Sequence, residues 1–526
     1  MIISGNSKQI VPVKRLAAID LGTNSFHAVI ADVYSDGSFR TLDTFKEMVQ
    51  LAKGGLENRL SDGAFKRGMK ALRNIKRLCD SYECDKVLAY ATSAIRESAN
   101  GGEFIQRSID ELDIKINAIP GKVEAELIGY AVQHGVKLGK KPALMVDIGG
   151  GSVEFIIGND KEFFFLASKK LGVSRMTGVF KPSDPITPKD IEKLETHYAG
   201  QLKDVIGAVS THQIETIIGS SGTMQNIGLM IAARQHKSAD VKLNELVYSA
   251  DDFASFYSDF IKLNSKERQK VAGLDSKRVS FINTGVVLLR YLIRECGIKK
   301  VRISSQALKE GIIIRYLKKD MIGLPWNGDF ADPRRRSIFE LLRKCAWHES
   351  HSRHVANMAL TIFDVLKDEL ELSKNDRELL EFASYLHDIG YYISHSAHHK
   401  HALYIIRNSE LRGFKEEEIE IMANVARYHR RSTPKKRHGE YWKMSPEIRR
   451  RIKKLSGILR VADGLDRSHY QNVKQLDVFL GEQELKLNIR TEGEPYLEIW
   501  GAMRKSTLLQ EVTGRKVKIE RVLGNS

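Results

Sequence analysis

The sequence predicts an α/β protein built on a duplicated half, continued by an all-helical region and closed by a small β-rich α+β module. Three observations predict it. First, two short loops share one design: Asp20-Leu-Gly-Thr-Asn-Ser25 follows the apolar run Leu16-Ala-Ala-Ile19, and Asp147-Ile-Gly-Gly-Gly-Ser152 follows Ala143-Leu-Met-Val146. Each runs into a second apolar stretch, Phe26 to Val33 and Val153 to Ile157, so a strand, a glycine turn and a strand are made twice. Second, after residue 335 the alternation of strand and helix patterns gives way to nearly pure helical periodicity. Third, from Val473 the periodicity becomes that of strands.

Taken in order, residues 1–135 form the first half, in which the strand Lys86-Val-Leu-Ala-Tyr-Ala91 turns into a helix through Thr92-Ser-Ala-Ile-Arg96. Residues 136–320 form the second half. It holds the second loop, the strand Glu215-Thr-Ile-Ile218, the small-residue turn Gly219-Ser-Ser-Gly-Thr223 and a closing helix over Leu308–Leu317. Leu324–Pro333 reads as a linker because it is rich in turn formers and lacks periodicity. Residues 335–470 are helical in pattern, as in Leu379-Leu-Glu-Phe-Ala-Ser-Tyr-Leu386. In 471–526 the segments Gln475–Leu480, Glu484–Ile489, Tyr496–Trp500 and Lys516–Glu520 alternate like strands.

The chain has 526 residues, enough for about three or four domains at ~150 residues each. Its 42% hydrophobic and 28% charged content is that of a globular, soluble protein. No apolar run approaches the ~18–20 residues that span a bilayer, and Met1–Lys14 has no signal-peptide pattern. Cys79, Cys84, Cys296 and Cys345 form no metal-type pair, which fits free thiols in a reducing cytoplasm. The net charge of +17 favours polyanions and is dense at Arg334–Arg336, Arg427–Arg431, Lys435–Arg437 and Arg449–Lys454. With 8% aromatics and no aromatic-basic interleaving, sequence-specific nucleic-acid reading is not expected.

The twin loops carry the chemistry. A glycine turn leaves backbone N–H groups free to hold phosphate oxygens, and its Asp is suited to a metal ion. Asp147 is the leading ligand, with Asp20 on the opposite loop holding the ion or its waters, and Ser152 and Glu154 share one face of the outgoing strand. The helix following Ile119-Pro-Gly-Lys-Val-Glu-Ala-Glu-Leu-Ile128 offers Glu124 and Glu126 as bases. Glu124 shares its face with Leu127, Ile128 and Ala131, the apolar side, where a carboxylate needs a role or a partner.

Asp20-Leu-Gly-Thr-Asn-Ser-Phe-His27, Ala91-Thr-Ser-Ala-Ile-Arg96 and Asp147-Ile-Gly-Gly-Gly-Ser-Val-Glu154 resemble the motifs of the exopolyphosphatase/guanosine pentaphosphate phosphatase (Ppx/GppA) family, which belongs to the actin-like (ribonuclease H-like) ATPase superfamily. The resemblance runs from about residue 14 to the C-terminus, since longer members add a helical HD-type domain and a small terminal module. It implies two actin-like domains with a cleft, metal on Asp147 and Glu154, and Glu124 as catalytic base. Phosphate contacts are implied or expected from Asp20, Gly22, Thr23, Asn24, Ser25, Arg96, Gly149, Gly150, Gly151 and Ser152, with Ser221, Gly222 and Thr223 as a phosphate-chain or ribose contact. The family often has a second acidic residue just before the base; here that position is Val123.

Eight of the sixteen histidines fall between 348 and 401. The order His351, His387-Asp388, Asp463 resembles the metal-binding set of HD phosphohydrolases, with His401 and His429 where some of those enzymes place further ligands. His395, His398 and His399 read as a solvated loop. The expected activity is release of terminal orthophosphate from inorganic polyphosphate with Mg²⁺ or Mn²⁺, in a cytoplasmic homodimer. The alternatives are guanosine pentaphosphate (pppGpp) hydrolysis and, in another class, a polyphosphate- or alarmone-binding regulator; intact Asp20, Glu124, Asp147 and Glu154 argue against the last. An actin-like sugar or acetate kinase is disfavoured by the basic helical tail and the lack of an evident adenine-binding segment.

Overall fold

A computed structural model describes residues 12–522 except 36, 52–58, 236–242, 245, 320–331 and 346. The linker reading over Leu324–Pro333 lies outside the described residues but for its last two positions. The chain divides between Pro333 and Arg334 into two compact units.

The first unit holds two sheets of matching design. In one, β1 (Lys14–Leu21), β2 (Ser25–Val33) and β3 (Phe39–Met48) form an antiparallel meander, and β4 (Lys86–Ala91) and β5 (Ile116–Ala118) add in parallel, in the order β3-β2-β1-β4-β5. In the other, β6 (Ala143–Ile148), β7 (Val153–Gly158) and β8 (Phe163–Lys169) repeat the meander. β9 (Thr216–Ser220) and β11 (Lys300–Ile303) add in parallel, with β10 (Val247–Ser249) antiparallel at the edge. The twin halves expected from the loops are present as twin sheets.

Why the leading strands read as unbroken apolar runs follows from their two faces. Ala17, Ile19 and Leu21 of β1 enter one core, while Leu16 and Ala18 enter another. In β6, Leu144, Val146 and Ile148 enter a third core, while Ala143 and Met145 join Leu16 and Ala18. The core common to both halves also takes Ala125, Leu127 and Ile128 from the helix Gly121–Gly135, and Leu308, Ile312 and Ile313 from the helix Leu308–Lys319. A strand covered on both faces has no polar side to alternate with. By strand parity Asp20, Asp147 and Glu154 stand on the shared face, which is how the two loops come to address one place.

The second unit is a helical body. Its helices include Glu349–Leu366, Lys374–Leu386, His398–Arg407, Glu416–Tyr428 and Pro446–Gly464. A sheet of β12 (Val473–Leu480), β13 (Glu484–Thr491) and β14 (Lys516–Arg521) follows, with the helices Tyr496–Lys505 and Thr507–Thr513 between its last two strands. Tyr496–Trp500 is therefore helix, not strand. Its apparent alternation is overruled by packing: Glu498, Gly501 and Ala502 are buried at helical spacing, and Gly464 of the neighbouring helix lets the Ala502 backbone come close. No described helix is long and apolar enough to cross a membrane, and the four cysteines are free thiols.

Candidate functional site: a buried carboxylate cluster at twin glycine loops

Both loops close with the same hydrogen bond, Gly22 N–H to Ser25 O (3.2 Å) and Gly149 N–H to Ser152 O (3.1 Å). They face each other. A Cβ on Gly150 would lie 2.7 Å from Asn24 Nδ2, and one on Gly151 would collide with Ser93 Oγ and stand 2.8 Å from Thr23 Oγ1. Only glycine allows this approach of backbone to side chain. Thr23 and Ser93 share a hydroxyl hydrogen bond (3.0 Å), and Ser174 Oγ donates to Asn24 Oδ1 (3.0 Å) across the two halves.

Four carboxylates converge beside the loops. Asp147 stands directly opposite Glu154 across the β6–β7 pair and beside Ser220 on β9, whose hydroxyl donates to Asp147 Oδ2. Ser168 Oγ donates to Glu154 Oε1 at 2.8 Å. Glu124 lies in the first turn of the helix Gly121–Gly135. Gly121 seats that turn: a Cβ there would be 2.5 Å from Ser168 Cβ, so any larger residue pushes Glu124 away from Glu154's neighbour. Arg96 Nη1 donates to Glu124 Oε2 (2.9 Å) and to Ile119 O (2.7 Å). Glu126 instead accepts from Tyr130 Oη at 3.0 Å. Asp20 Oδ1 is buried with no hydrogen-bond partner.

Burial raises all four acids, and repulsion from neighbouring carboxylates adds to it at Asp20, Glu124 and Glu154. Asp20 is pushed up to about 8 by burial, then by Glu124, against the pull of Lys309. Burial takes Glu124 to about 7, opposed by Arg96 and reinforced by Asp147. Burial takes Asp147 to about 6 despite the Ser220 hydroxyl, Arg278 and Lys309. Burial first, then Glu124 and Asp147, lifts Glu154. Like charges facing each other across a strand pair are destabilising unless something positive is shared. The orphaned Asp20 oxygen and an all-oxygen donor set fit a hard divalent cation.

The remaining sequence-derived residues gather at the same place. Ser221, in the left-handed region at φ 75°, donates its hydroxyl to Ile148 O (3.1 Å). Gly222 makes room for the Arg278 guanidinium, whose Nη1 lies 3.5 Å from Thr223 Oγ1. Ser25 Oγ is bonded to His27 Nε2 (2.7 Å), and burial holds His27 down at about 3. Arg278 and Lys309 are the functional candidates that sequence reasoning missed. Both electrostatically favour ionised Asp147, and Lys309 also Asp20. One sits in a short turn and the other opens a helix, so no local pattern marks them.

The second unit holds another cluster. His351, His387, Asp388 and Asp463 are brought together: His387 Nε2 lies 3.4 Å from Asp388 Oδ2, and His351 Nε2 lies 3.7 Å from the same oxygen and 3.8 Å from Asp463 Oδ1. His429 Nε2 joins at 3.6 Å from Asp388 Oδ1. His398 was expected in a solvated loop; it is buried, with Nε2 3.2 Å from Asp388 Oδ1, because the helix His398–Arg407 starts there and turns the ring inward. His401, on that helix, is outside the groups of close metal-type donors found among the described residues.

The Ppx/GppA phosphatase family model matches residues 29–320, and the model of that family's domain III matches residues 334–509. The crystal structure of an exopolyphosphatase from Cytophaga hutchinsonii ATCC 33406 is similar at 29% identity and a TM-score of 0.55, over 58% of this chain and 98% of that one. The Aquifex aeolicus member of the Ppx/GppA family shares the fold at 22% identity and a TM-score of 0.50, over 59% of this chain and 99% of that one. With both models matched over an α/β body of twin sheets, the chain belongs to the Ppx/GppA phosphatase family.

Proposed function

We propose that this phosphoanhydride hydrolase is an exopolyphosphatase that removes the terminal orthophosphate of inorganic polyphosphate. The observation that carries the reading is the meeting of four buried carboxylates with two facing glycine loops. Asp147 and Glu154, with Asp20 beside them, are the residues to hold Mg²⁺ or Mn²⁺. Such an ion, when bound, neutralises charge on the phosphoryl oxygens. The N–H groups around Gly22–Ser25 and Gly149–Ser152 receive the terminal phosphates, with Ser221–Thr223, Arg278 and Lys309 taking the next along the chain. Glu124 accepts the proton of the attacking water. Water's oxygen bonds to the terminal phosphorus, the bridging P–O bond breaks, and orthophosphate and a shorter chain leave. Arg96 orients Glu124 through their ion pair and meets phosphate when the chain is bound.

The +17 charge supports the longer polyanion over pppGpp. The basic segments divide into paired and exposed residues. Arg334 pairs with Glu418, Arg335 with Glu381, and Arg451 with Asp376 and Glu417. Lys435, Lys436 and Arg437 are exposed. Those three are therefore the better candidates among these segments to attract a polyanion. Domain III is read as HD-type, with His351, His387, Asp388 and Asp463 holding an ion, and the protein as a cytoplasmic homodimer. Phosphate release from long polyphosphate and from pppGpp, measured side by side with Mg²⁺ or Mn²⁺, tests the assignment. Faster release from pppGpp would transfer it to the second substrate.

A further inference from the structure

We propose that Cys79 and Cys84 form a peroxide-reactive dithiol that closes to a disulfide across the C-terminal cap of the helix Asp62–Ser81. Neither residue takes part in the phosphoanhydride chemistry of the glycine loops.

The cap brings the two thiols together. The helix ends at Ser81 with Tyr82 as its cap residue, and Glu83 turns the chain in the left-handed region at φ 52°. Cys84 N–H then donates back to Cys79 O (3.0 Å), and Glu83 N–H donates to Asp80 O (3.0 Å). A helix closed by this pair of bonds sets the side chain after the left-handed residue against the one five positions earlier, where an apolar contact commonly forms. In this chain both positions are cysteine, and the two free thiols share a hydrogen bond. Cys79 is buried in the core beneath the first sheet, and Cys84 packs on that same core with part of its surface open to solvent. A disulfide needs Cα atoms about 4.4–6.8 Å apart and side chains turned toward each other. The direct backbone bond between the two residues and the contact of their thiols place them within that reach.

The two thiols are unequal. Cys84 is held below the ordinary thiol value, first by the hydrogen bond with Cys79 and then, against burial, by the Arg15 guanidinium, with Asp85 and Asp80 opposing. Cys79 is pushed up by the same hydrogen bond and then by burial. Arg15 is fixed at the turn, since its Nη1 donates to Tyr82 O (2.8 Å) and its Nε to Asp32 Oδ1 (2.7 Å). The thiolate is the reactive form of cysteine, so the accessible Cys84 meets the oxidant. Its sulfur attacks one oxygen of hydrogen peroxide, the O–O bond breaks, and Cys84 becomes a sulfenic acid as one water leaves. Cys79 then gives up its proton, its sulfur bonds to that of Cys84, and the sulfenic oxygen leaves as a second water. Two thiols lose two electrons and two protons, and the peroxide is reduced to two waters. A disulfide is reducible, whereas the sulfinic acid that Cys84 would otherwise reach is not. The pair therefore protects the turn that leads into β4, the strand whose far end passes into the helix of Ser93 and Arg96. Burial takes Cys296 and Cys345 up to about 11, which keeps those thiols protonated.

The test exposes the full-length protein to hydrogen peroxide, alkylates the remaining thiols and maps the peptides by mass spectrometry. Trypsin should release Leu78–Lys86 unalkylated and lighter by two hydrogens. Cleavage after Glu83 should leave two pieces joined until dithiothreitol is added, and Cys296 and Cys345 should be recovered alkylated. In C79S, Cys84 should pass on to sulfinic acid; in C84S, Cys79 should remain a thiol over the same exposure. The unsubstituted protein decides without either variant. Cys84 recovered there as a free thiol to the same extent as Cys296 overturns the proposal. So does Cys84 accumulating as sulfinic acid beside a free Cys79, or a bond from either residue to another cysteine.

Discussion

The two units each bury a knot of carboxylates, and they differ in what else enters it. In the first unit the donors are oxygens alone, two of them facing each other across β6 and β7, and the nearest cations are Arg96, Arg278 and Lys309. In the second unit four imidazole nitrogens surround two carboxylates, and each ring is locked from behind. A hard site among glycine N–H groups suits a weakly held, hydrated ion shared with phosphate. A nitrogen-rich, pre-aimed site suits an ion held for its own sake. Burial makes both costly when empty; the identity of the donors decides what relieves the cost.

The same contrast appears at smaller scale within the first unit. Asp20 faces His27 across β1–β2, while Asp147 faces Glu154 across β6–β7. One loop thus pairs its acid with a neutral imidazole bonded to Ser25. The other pairs acid with acid, so the second loop sets two carboxylates directly opposite each other.

The sharpest break of the comparison is Glu124→Gln. Loss of a general base removes about 10²–10⁴-fold in rate, so orthophosphate release should collapse while polyphosphate is still bound. Retained turnover would take the base from Glu124. Next, Asp147→Asn should lower Mg²⁺-dependent release by at least the roughly 10–100-fold that losing a ligand's supporting partner costs, and leave the histidine cluster's metal content unchanged by elemental analysis. Equal loss from both sites would show that the two are not separable. Gly151→Ala would drive the new Cβ into Ser93 Oγ and splay the facing loops. A misplacement of that kind costs up to about 10²-fold, read as kcat with the secondary structure unchanged by circular dichroism.

The smallest effect is a pH-dependent one on stability. Asp20, Glu124 and Asp147 are raised to about 8, 7 and 6. Acids raised in the folded state stabilise it below their ordinary range, and that contribution is lost as pH rises through the folded values. The Tm gained on adding Mg²⁺ should therefore be larger at pH 8 than at pH 5. A gain that is the same at both values would mean that the ion does not replace these protons.

Much of this was legible in the chain. The strand-turn-strand repeat, with Asp, Gly and Ser at fixed offsets, was visible because a glycine turn and an apolar run are local patterns. Glu124 could be preferred over Glu126 because helical spacing puts it on the apolar side, and the structure buries it while Glu126 bonds to Tyr130. Tyr496–Trp500 was misread because a few alternating residues fit both periods until Gly464 and Ala502 meet. His398 was misread because polar neighbours suggested a loop, whereas the helix start turns it inward.

By itself the sequence determined the family, the α/β repeat and the residues that carry the loops, since these depend on short-range order along the chain. The tertiary structure alone decided which side chains share a volume. It brought Gly151 against Thr23, Arg278 against Gly222 and His351 against Asp466, contacts between residues far apart in sequence. It also set the carboxyl groups' proton affinities, because burial and facing charge exist only after the strands pair. Periodicity reports which face of an element is covered; it carries no information on what comes to cover it.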